Sequence, residues 1–275
     1  MSKRNQVVLV TGASSGIGKA TARKLLADGH IVYGASRRIE RMKDIENEGV
    51  NILRMDVTND EDRQYCIDHI IKEEGRIDVL VNNAGFGLYG AVEDIPLDDA
   101  RWQFEVNLFG LAGLVQLVLP YMRNQKYGKI INISSIGGKI YTPLGAWYYA
   151  TKHALEGWSD ALRLEVRQFG VHVVLIEPGL IRTEFADVMT EPMQRYSGHG
   201  PYADFVKKVI NALGKSYSET NGSPPTIIAD VIAKAIRSKK PKTRYRKGKM
   251  AGTLLFLRKW TSDRMFDRIV MSQVK

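Results

Sequence analysis

Cysteine is almost absent from this sequence. Cys66 is the single cysteine among 275 residues, so no disulfide can form within the chain. This excludes a small fold stabilised by disulfides and is typical of proteins from a reducing compartment. We therefore expect a cytoplasmic location.

Long apolar runs are also lacking. The first apolar stretch, Val7–Val10, is far too short for the hydrophobic region of a signal peptide. No continuous apolar run approaches the roughly 20 residues that span a bilayer. With 44% hydrophobic and 25% charged residues, the composition is that of a globular protein and excludes intrinsic disorder.

Excess charge is scarce outside one short segment. The formal net charge is +10, yet seven of the eleven residues from Lys239 to Lys249 are Lys or Arg, and without them it falls to +3. A local basic run with no recognised nucleic-acid module beside it does not indicate a nucleic-acid partner. We expect none.

The sequence alternates between short strand-like segments and longer helix-like segments. Short β-branched runs at 7–10, 31–33, 51–55, 77–81, 129–133 and 171–176 alternate with amphipathic stretches at 17–28, 38–48, 59–74, 98–125 and 146–169. This pattern predicts an α/β fold with a single Rossmann-type doubly wound parallel sheet and helices on both faces. We expect one dinucleotide-binding catalytic domain over 1–275. Within it we place a variable substrate-binding excursion at 190–225 and a basic, helical C-terminal extension at 239–275.

A glycine-rich turn follows the first predicted strand. The sequence Thr-Gly-Ala-Ser-Ser-Gly-Ile-Gly runs from Thr11 to Gly18 and leads directly into a predicted helix. Glycines in this position let backbone N–H groups and the helix dipole meet a phosphate without obstruction by Cβ atoms. A tight turn of small residues would look alike, but the flanking strand and helix favour dinucleotide binding. The predicted cofactor contacts in this turn are Gly12, Ser14, Ser15, Gly16, Ile17 and Gly18.

The end of the second strand indicates which dinucleotide binds. Ser36, Arg37 and Arg38 stand there, with no acid before Glu40. An acid would hold the ribose 2′-hydroxyl of NAD, whereas a guanidinium pairs with the 2′-phosphate of NADP. Ser36 and Arg37 therefore predict NADP(H) in preference to NAD. The alternative is that both arginines merely open a solvated helix.

Tyr148 and Lys152 are four residues apart and so share one helix face. A neighbouring ammonium favours the phenolate, which would lower the pKa of Tyr148 from its usual value of about 10 toward neutrality. Such a group suits acid–base chemistry on an alcohol–carbonyl pair. Tyr245–Lys249 has the same spacing, but Ser135 precedes only Tyr148 by thirteen residues. At a predicted strand end, Ser135 can donate to a substrate oxygen.

The motifs together resemble those of the short-chain dehydrogenases/reductases over nearly all of residues 5–190. They follow the family's order: Thr11–Gly18, Asp56–Val57, Asn82–Gly85, Asn107, Ser135, Tyr148, Lys152, Pro178–Gly179 and Thr183. From Asn82 onward the chain is similar to the subgroup of 17β-hydroxysteroid and retinol dehydrogenases.

The resemblance implies specific roles. Tyr148 would transfer the proton, Lys152 would lower its pKa and hold the nicotinamide ribose, and Ser135 would polarise the carbonyl. Asn107 would anchor a water, although it could instead be a polar residue inside a helix, and Asp56 could merely cap the helix near Asn59. The further cofactor contacts that the resemblance implies are Asp56, Val57, Asn83, Ala84, Gly85, Pro178, Gly179, Ile181 and Thr183.

The predicted substrate pocket is apolar. No Lys or Arg is evident among its candidate walls, which favours a lipophilic alcohol or ketone of steroid, retinoid or long-chain type. No His has the spacing of a metal site, so we expect no metal. Related enzymes often form homodimers or homotetramers, which we expect here; a non-catalytic NADP sensor or membrane-surface scaffold is the alternative. The substrate residues that we predict are Phe86, Tyr141, Leu144, Phe185 and Met189.

The C-terminal extension admits two interpretations. In the first, which we favour, a surface strand at Thr243–Arg246 is followed by a helix packed on the body. In the second, the basic run and the apolar Leu254–Leu257, Trp260 and Phe266 form a peripheral anchor at an anionic membrane surface.

Overall fold

In a computed structural model that describes residues 5–217 and 222–274, seven parallel strands form one sheet. The strands are β1 Val7–Thr11, β2 Ile31–Ser36, β3 Asn51–Arg54, β4 Val79–Asn82, β5 Gly128–Ile133, β6 Val171–Pro178 and β7 Arg244–Lys247. Their order in the sheet is β3-β2-β1-β4-β5-β6-β7. The chain thus winds outward from β1 in both directions, which confirms the predicted doubly wound sheet.

Helices cover both faces of the sheet. They are α1 Gly16–Ala27, α2 Lys43–Asn47, α3 Asp60–Glu74, α4 Leu97–Phe104, α5 Gly110–Asn124, α6 Ala146–Val166, α7 Phe185–Ser197, α8 Ala203–Tyr217, α9 Thr226–Arg237, α10 Ala251–Trp260 and α11 Asp263–Ser272. A π-helical turn, Glu105–Phe109, joins α4 to α5. The predicted excursion at 190–225 therefore begins inside α7, and its residues 218–221 lie outside the described part of the chain.

The alternation of side chains along the strands creates two cores. Leu9 and its neighbours on one face pack against α3, α5 and α6, with Leu114 among the fully buried residues. Val10 and its neighbours on the other face pack against α1 and α9, with Leu25 and Ile232 fully buried. Because both faces are covered, the central strands β1 and β4 are almost wholly apolar, as is typical of buried parallel strands, whereas the edge strands β3 and β7 carry charged residues.

One helical stretch of the described residues, Leu97–Asn124, is long and apolar enough to cross a membrane by length and composition. In this fold its C-terminal half, α5, packs on the sheet, where Leu111, Val115, Val118 and Met122 are buried. The core helix of a protein that spans no membrane meets the same two criteria.

The basic segment supplies an edge strand of the sheet. β7 pairs in parallel with β6, in the register Leu175–Arg244 to Pro178–Lys247, so the predicted surface strand is part of the main sheet. After it, α10 and α11 form a helical hairpin, and Phe266 is fully buried beside Ile136 and Ile140. Of the two interpretations that the sequence allows for this extension, the structure therefore has the first, a strand followed by helices packed on the body.

Arg244 holds a buried ion cluster between three elements. Its guanidinium lies 2.9 Å from Glu156 and 2.6 Å from Asp160 on α6, and 3.2 Å from Glu177 on β6. The Glu177 side chain is 0% exposed and that of Glu156 is 3% exposed. Buried carboxylates are tolerated only with close counter-charges, so Arg244 fixes α6 to the sheet.

We predict that Arg244→Met lowers the free energy of unfolding by about 3 kcal/mol, because Glu156 and Glu177 lose a buried counter-charge. Arg246→Met is the matched control, since Arg246 also binds Glu177 but its side chain is 53% exposed. Arg246→Met should lower the free energy of unfolding by about 1 kcal/mol or less. Urea unfolding of the two variants measures the difference, and equal losses would contradict the role given to Arg244.

Candidate active site

A cleft of about 990 Å³ opens at the carboxyl ends of the strands. This is the edge of a parallel sheet at which ligands bind, because the strand-to-helix turns converge there. The cleft brings together most of the site residues predicted from the sequence. Those that line it are Gly12, Ser14, Ser15, Gly16, Ile17, Ser36, Arg37, Asp56, Val57, Asn83, Ala84, Gly85, Phe86, Ser135, Tyr148, Lys152, Pro178, Gly179, Ile181, Thr183 and Phe185.

The glycine-rich turn forms the floor of the cleft at the end of β1. Gly12 and Gly16 have φ values of +66° and +53°, a left-handed conformation that glycine adopts without strain. A Cβ on Gly12 would lie 2.8 Å from Asn83 Nδ2. α1 begins at Gly16 and has no acidic residue in its first turn. These features fit the phosphates of a dinucleotide, whose charge is favourable at a helix N-terminus.

Gly18 is not among the residues that line the cleft, so its cofactor contact stays a prediction. It faces the turn from behind, where a Cβ would lie 2.3 Å from the Gly12 carbonyl oxygen and 2.5 Å from Asn83 Nδ2. The absence of a side chain at Gly18 therefore lets α1 pack closely on the turn.

Thr11 fastens the turn after β4 to the end of β1. Its hydroxyl oxygen accepts hydrogen bonds from the backbone N–H groups of Asn83 at 3.0 Å and Ala84 at 2.9 Å. The Asn83 side-chain amide in turn donates to the Thr11 carbonyl at 2.9 Å. These bonds hold Asn83–Gly85 at the cleft.

Two arginines stand at the end of β2. Arg38 donates to the Ser14 hydroxyl at 3.3 Å, and Arg37 lies 3.7 Å from an Asp56 carboxylate oxygen. Arg38 lines the cleft, although the sequence singled out Arg37 of this pair. Asp56 accepts from the N–H and hydroxyl of Thr58, so the capping alternative for Asp56 does not hold.

The cap of α3 is Asn59. Its side-chain oxygen accepts from the Asp62 N–H at 2.9 Å. Asp56 is thus left at the cleft, three residues before the helix cap.

α6 carries Tyr148 and Lys152 into the cleft on one face, as their spacing predicts. The Lys152 ammonium donates to the Ile133 carbonyl at 2.9 Å and lies 5.9 Å from the centre of the Tyr148 ring. Ser135, two residues after the end of β5, accepts from the Gly137 N–H at 3.0 Å, and its side chain lies close enough to the Tyr148 phenol to act on its pKa.

The pKa of Tyr148 differs from the expectation. Burial raises it above its usual value of 10, because the phenolate would lose its hydration; the Ser135 side chain offsets only part of this effect. Burial also lowers the pKa of Lys152 to about 8, an effect that the nearby Glu156 carboxylate opposes. The Lys152 ammonium therefore does not bring Tyr148 toward neutrality in this arrangement, and the phenol holds its proton.

Asn107 lies in the π-helical turn between α4 and α5, a feature frequent at functional sites. Its side chain accepts from the Phe86 N–H at 3.0 Å and donates to the Phe86 carbonyl at 2.9 Å and to the Thr151 hydroxyl at 3.1 Å. Asn107 is buried directly behind Gly85 and does not line the cleft.

Three predicted substrate residues lie outside the cleft. Leu144 and Met189 are buried beneath it in a cluster with Tyr89 and Tyr148. The Tyr141 ring packs edge-on against Phe266 at 5.4 Å, because the C-terminal hairpin covers it. Phe185, in contrast, lies in the cleft with its ring 5.5 Å from that of Tyr148.

The cleft also contains residues that were not predicted from the sequence. The apolar ones are Met55, Trp102, Val106, Ile133, Val188, Pro192 and Tyr217, and the charged ones besides Arg38 are Asp99, Glu184, Asp187, Glu191 and Arg195. With Asp56, five carboxylates thus line the cleft, and one of them, Glu191, lies 3.7 Å from Arg195. The expectation of a pocket without Lys or Arg is therefore incomplete, because Arg195 lines the cleft. Helical phase around Phe185 and Met189 could have indicated Val188, whereas no sequence signal marked Asp99.

Among the described residues, no group of three or more His, Cys, Asp or Glu side chains is arranged to hold a metal ion.

Comparison with known proteins identifies the family. Residues 6–194 match the short chain dehydrogenase family. The chain belongs to this family, and it is an oxidoreductase. Its resemblance to the 17β-hydroxysteroid and retinol subgroup stays a prediction.

Three known proteins are similar over nearly the whole chain. A 3-ketodihydrosphingosine reductase from Bacteroides thetaiotaomicron is 41% identical over 265 residues, which are 95% of either chain. An NADPH-dependent 3-dehydrocapnine reductase from Ornithobacterium rhinotracheale is 37% identical, covering 97% of this chain and 96% of its own. The crystal structure of a short-chain dehydrogenase from Streptomyces avermitilis superposes with a TM-score of 0.81 at 33% identity, covering 98% of this chain and 95% of that one.

Proposed function

We propose that the chain is an NADP(H)-dependent reductase that converts the ketone of a long-chain 2-amino ketone to a secondary alcohol. The observation that carries this proposal is the cleft in which Ser135, Tyr148 and Lys152 lie beside a phosphate-binding turn. The same cleft combines an apolar wall with several carboxylates.

The cofactor preference rests on the end of β2. Arg37 and Arg38 both line the cleft, and no acid stands between Ser36 and Glu40. Two guanidinium groups favour the 2′-phosphate of NADP, and the absence of an acid removes the usual partner of an NAD ribose. The similar 3-dehydrocapnine reductase is named as NADPH-dependent, which agrees with this proposal.

When bound, NADPH supplies a hydride to the carbonyl carbon. Tyr148 then donates its phenolic proton to the carbonyl oxygen, and the Ser135 hydroxyl donates a hydrogen bond to the same oxygen. The raised pKa of Tyr148 suits this direction, because the phenol stays protonated at neutral pH. We assign to Lys152 the nicotinamide ribose, and to Asn107 the support of a water that returns a proton to Tyr148.

The other cofactor contacts follow the lining of the cleft. Asp56 and Val57 border the adenine in this proposal, and Asn83–Gly85 its ribose. Pro178, Gly179, Ile181 and Thr183 lie beside the nicotinamide amide. All of them line the cleft.

The substrate class rests on the two kinds of cleft wall. Phe86, Phe185 and Trp102 offer apolar surface to an alkyl chain, and Asp99 and Asp187 offer negative charge to an ammonium group. A long-chain 2-amino ketone carries both features. Two similar proteins are named as reductases of 3-ketodihydrosphingosine and 3-dehydrocapnine, which supports this class over steroids and retinoids.

We also propose a functional organisation for the whole chain. Residues 1–275 act as one catalytic domain, and the excursion at 190–225 binds substrate through Pro192, Arg195 and Tyr217, which line the cleft. Phe109 and Leu164 are largely exposed near α5 and α6, which favours a homodimer or homotetramer. The single cysteine, Cys66, is buried and unpaired, in keeping with a cytoplasmic location.

We predict that removal of both arginines selectively weakens NADPH binding. Arg37→Ala/Arg38→Ala should raise the Kd for NADPH by about tenfold to a hundredfold, as the loss of a charge-assisted contact to phosphate implies, and leave that for NADH nearly unchanged. Arg41→Ala is the control, because Arg41 is exposed and pairs with Glu184 at 3.0 Å. Fluorescence titration measures both constants. Equal losses for the two cofactors would refute the preference for NADP(H).

We predict that the protein oxidises NADPH with 3-ketodihydrosphingosine as the acceptor. Tyr148→Phe should lower kcat by about a thousandfold or more, because the proton donor is lost, while NADPH still binds. Tyr149→Phe is the matched control: it removes the hydroxyl of a half-buried tyrosine one position along, which contacts Thr142 at 2.7 Å. The kcat of Tyr149→Phe should stay within about tenfold of that of the parent, because this hydroxyl does not take part in the reaction. Absorbance of NADPH reports turnover.

Steroid ketones, retinal and small polar ketones form the comparison arm of this assay. Faster turnover of a steroid or of retinal would overturn the substrate class but leave the reductase intact. Tight NADPH binding without turnover of any ketone would favour a cofactor-sensing scaffold.

A further inference from the structure

The C-terminal hairpin, formed by α10 and α11, has two sides of different character. Its inner side packs on the segment that follows Ser135: Phe266 is fully buried there with Ile136 and Ile140, and Leu254 and Leu257 are partly buried. Arg258 lies 2.9 Å from Asp263, an ion pair between the two helices. The hairpin therefore has a fixed orientation on the body.

The outer side of the hairpin presents aromatic rings to solvent. Phe256 is 63% exposed and Trp260 is 68% exposed, and their ring centres are 6.4 Å apart on one face of α10. The Lys259 ammonium lies 5.1 Å from the centre of the Trp260 ring. On α11, Met265 is exposed as well. A Trp, a Phe and a Lys side by side on a helix surface are typical of a helix that lies in a membrane interface.

The charge of the chain is concentrated in the same region. Residues 239–275 contain twelve of the 40 Lys and Arg residues and two of the 30 Asp and Glu residues, so they carry a formal charge of +10 and leave residues 1–238 neutral. Both acids are engaged, Asp263 by Arg258 and Asp267 by the Tyr141 hydroxyl at 3.0 Å. The exposed rings thus stand in the one strongly basic region of the sequence.

We propose that the outer side of the hairpin docks on the surface of an anionic lipid bilayer. Basic side chains are attracted by anionic headgroups, and exposed Phe and Trp rings are transferred from water into the interface. A second copy of the chain fits this surface less well, because a symmetric contact would bring two strongly basic regions together. With ten residues, α10 is about 15 Å long, half the thickness of a bilayer core, so it lies on the membrane and does not span it.

Docking at this surface would place the membrane beside the cleft. The Tyr141 ring contacts Phe266 of the hairpin, and Val274, which follows α11, packs against the cluster that contains Tyr148 and Met189. A lipophilic molecule held in the bilayer would thus have a short path to the cleft. The docking itself does not rest on the proposed substrate.

Vesicle flotation of the full chain tests the proposal, with vesicles of phosphatidylcholine alone and of phosphatidylcholine with phosphatidylglycerol. We expect the protein to float only with the anionic vesicles at low salt, and less as salt is raised. Phe256→Ala/Trp260→Ala should lower the bound fraction about tenfold or more, as the loss of two interfacial rings implies. Tyr65→Ala is the matched control, because Tyr65 is likewise 63% exposed but lies on α3.

Charge is tested by a second pair of variants. Lys259→Glu/Arg264→Glu should abolish flotation, whereas Lys207→Glu/Lys208→Glu, on exposed residues of α8, should retain most of it. Unfolding curves show that every variant is folded. Absence of flotation with anionic vesicles would overturn the proposal, and so would equal binding by Phe256→Ala/Trp260→Ala and the parent. A change of oligomeric state in that variant without vesicle binding would identify a second copy as the occupant instead.

Discussion

Arg244 bridges two buried carboxylates, Glu156 and Glu177, and the geometry of the site depends on this ion cluster. Glu156 is four residues after Lys152 on α6, and Glu177 lies in β6 just before Pro178. By joining α6 to β6 and β7, the cluster fixes the helix that carries Tyr148 relative to the strand end that carries the predicted nicotinamide contacts. The basic C-terminal segment, which looks like an appendage in the sequence, therefore supports the site.

Much of the fold could be predicted because it follows from local patterns. Parallel strands buried on both faces are mostly apolar, and glycine is favoured at Gly12 and Gly16 because φ is positive there. Residues at strand ends, such as Ser135 and Asn83, converge on one edge of the sheet whatever the details of packing. The order of motifs along the chain then identifies the family.

The rest could not be predicted because it depends on contacts between distant segments. Tyr141 looks like a cleft residue by its position between Ser135 and Tyr148, but α11 covers it. Leu144 and Met189 lie beneath the cleft and not in its wall, because their burial depends on the packing of helices α7 and α8. The pKa of Tyr148 rises because its surroundings exclude water, whereas the spacing to Lys152 alone indicates a fall.

We propose that Tyr148 and Ser135 direct reduction of a ketone in this cleft. NADPH that carries deuterium at C4 of the nicotinamide, on the transferred face, tests this with 3-ketodihydrosphingosine as the acceptor. We expect an alcohol with one deuterium on the former carbonyl carbon, detected by mass spectrometry and NMR. An alcohol without deuterium on that carbon, or no alcohol from any ketone while NADPH stays bound, would contradict it.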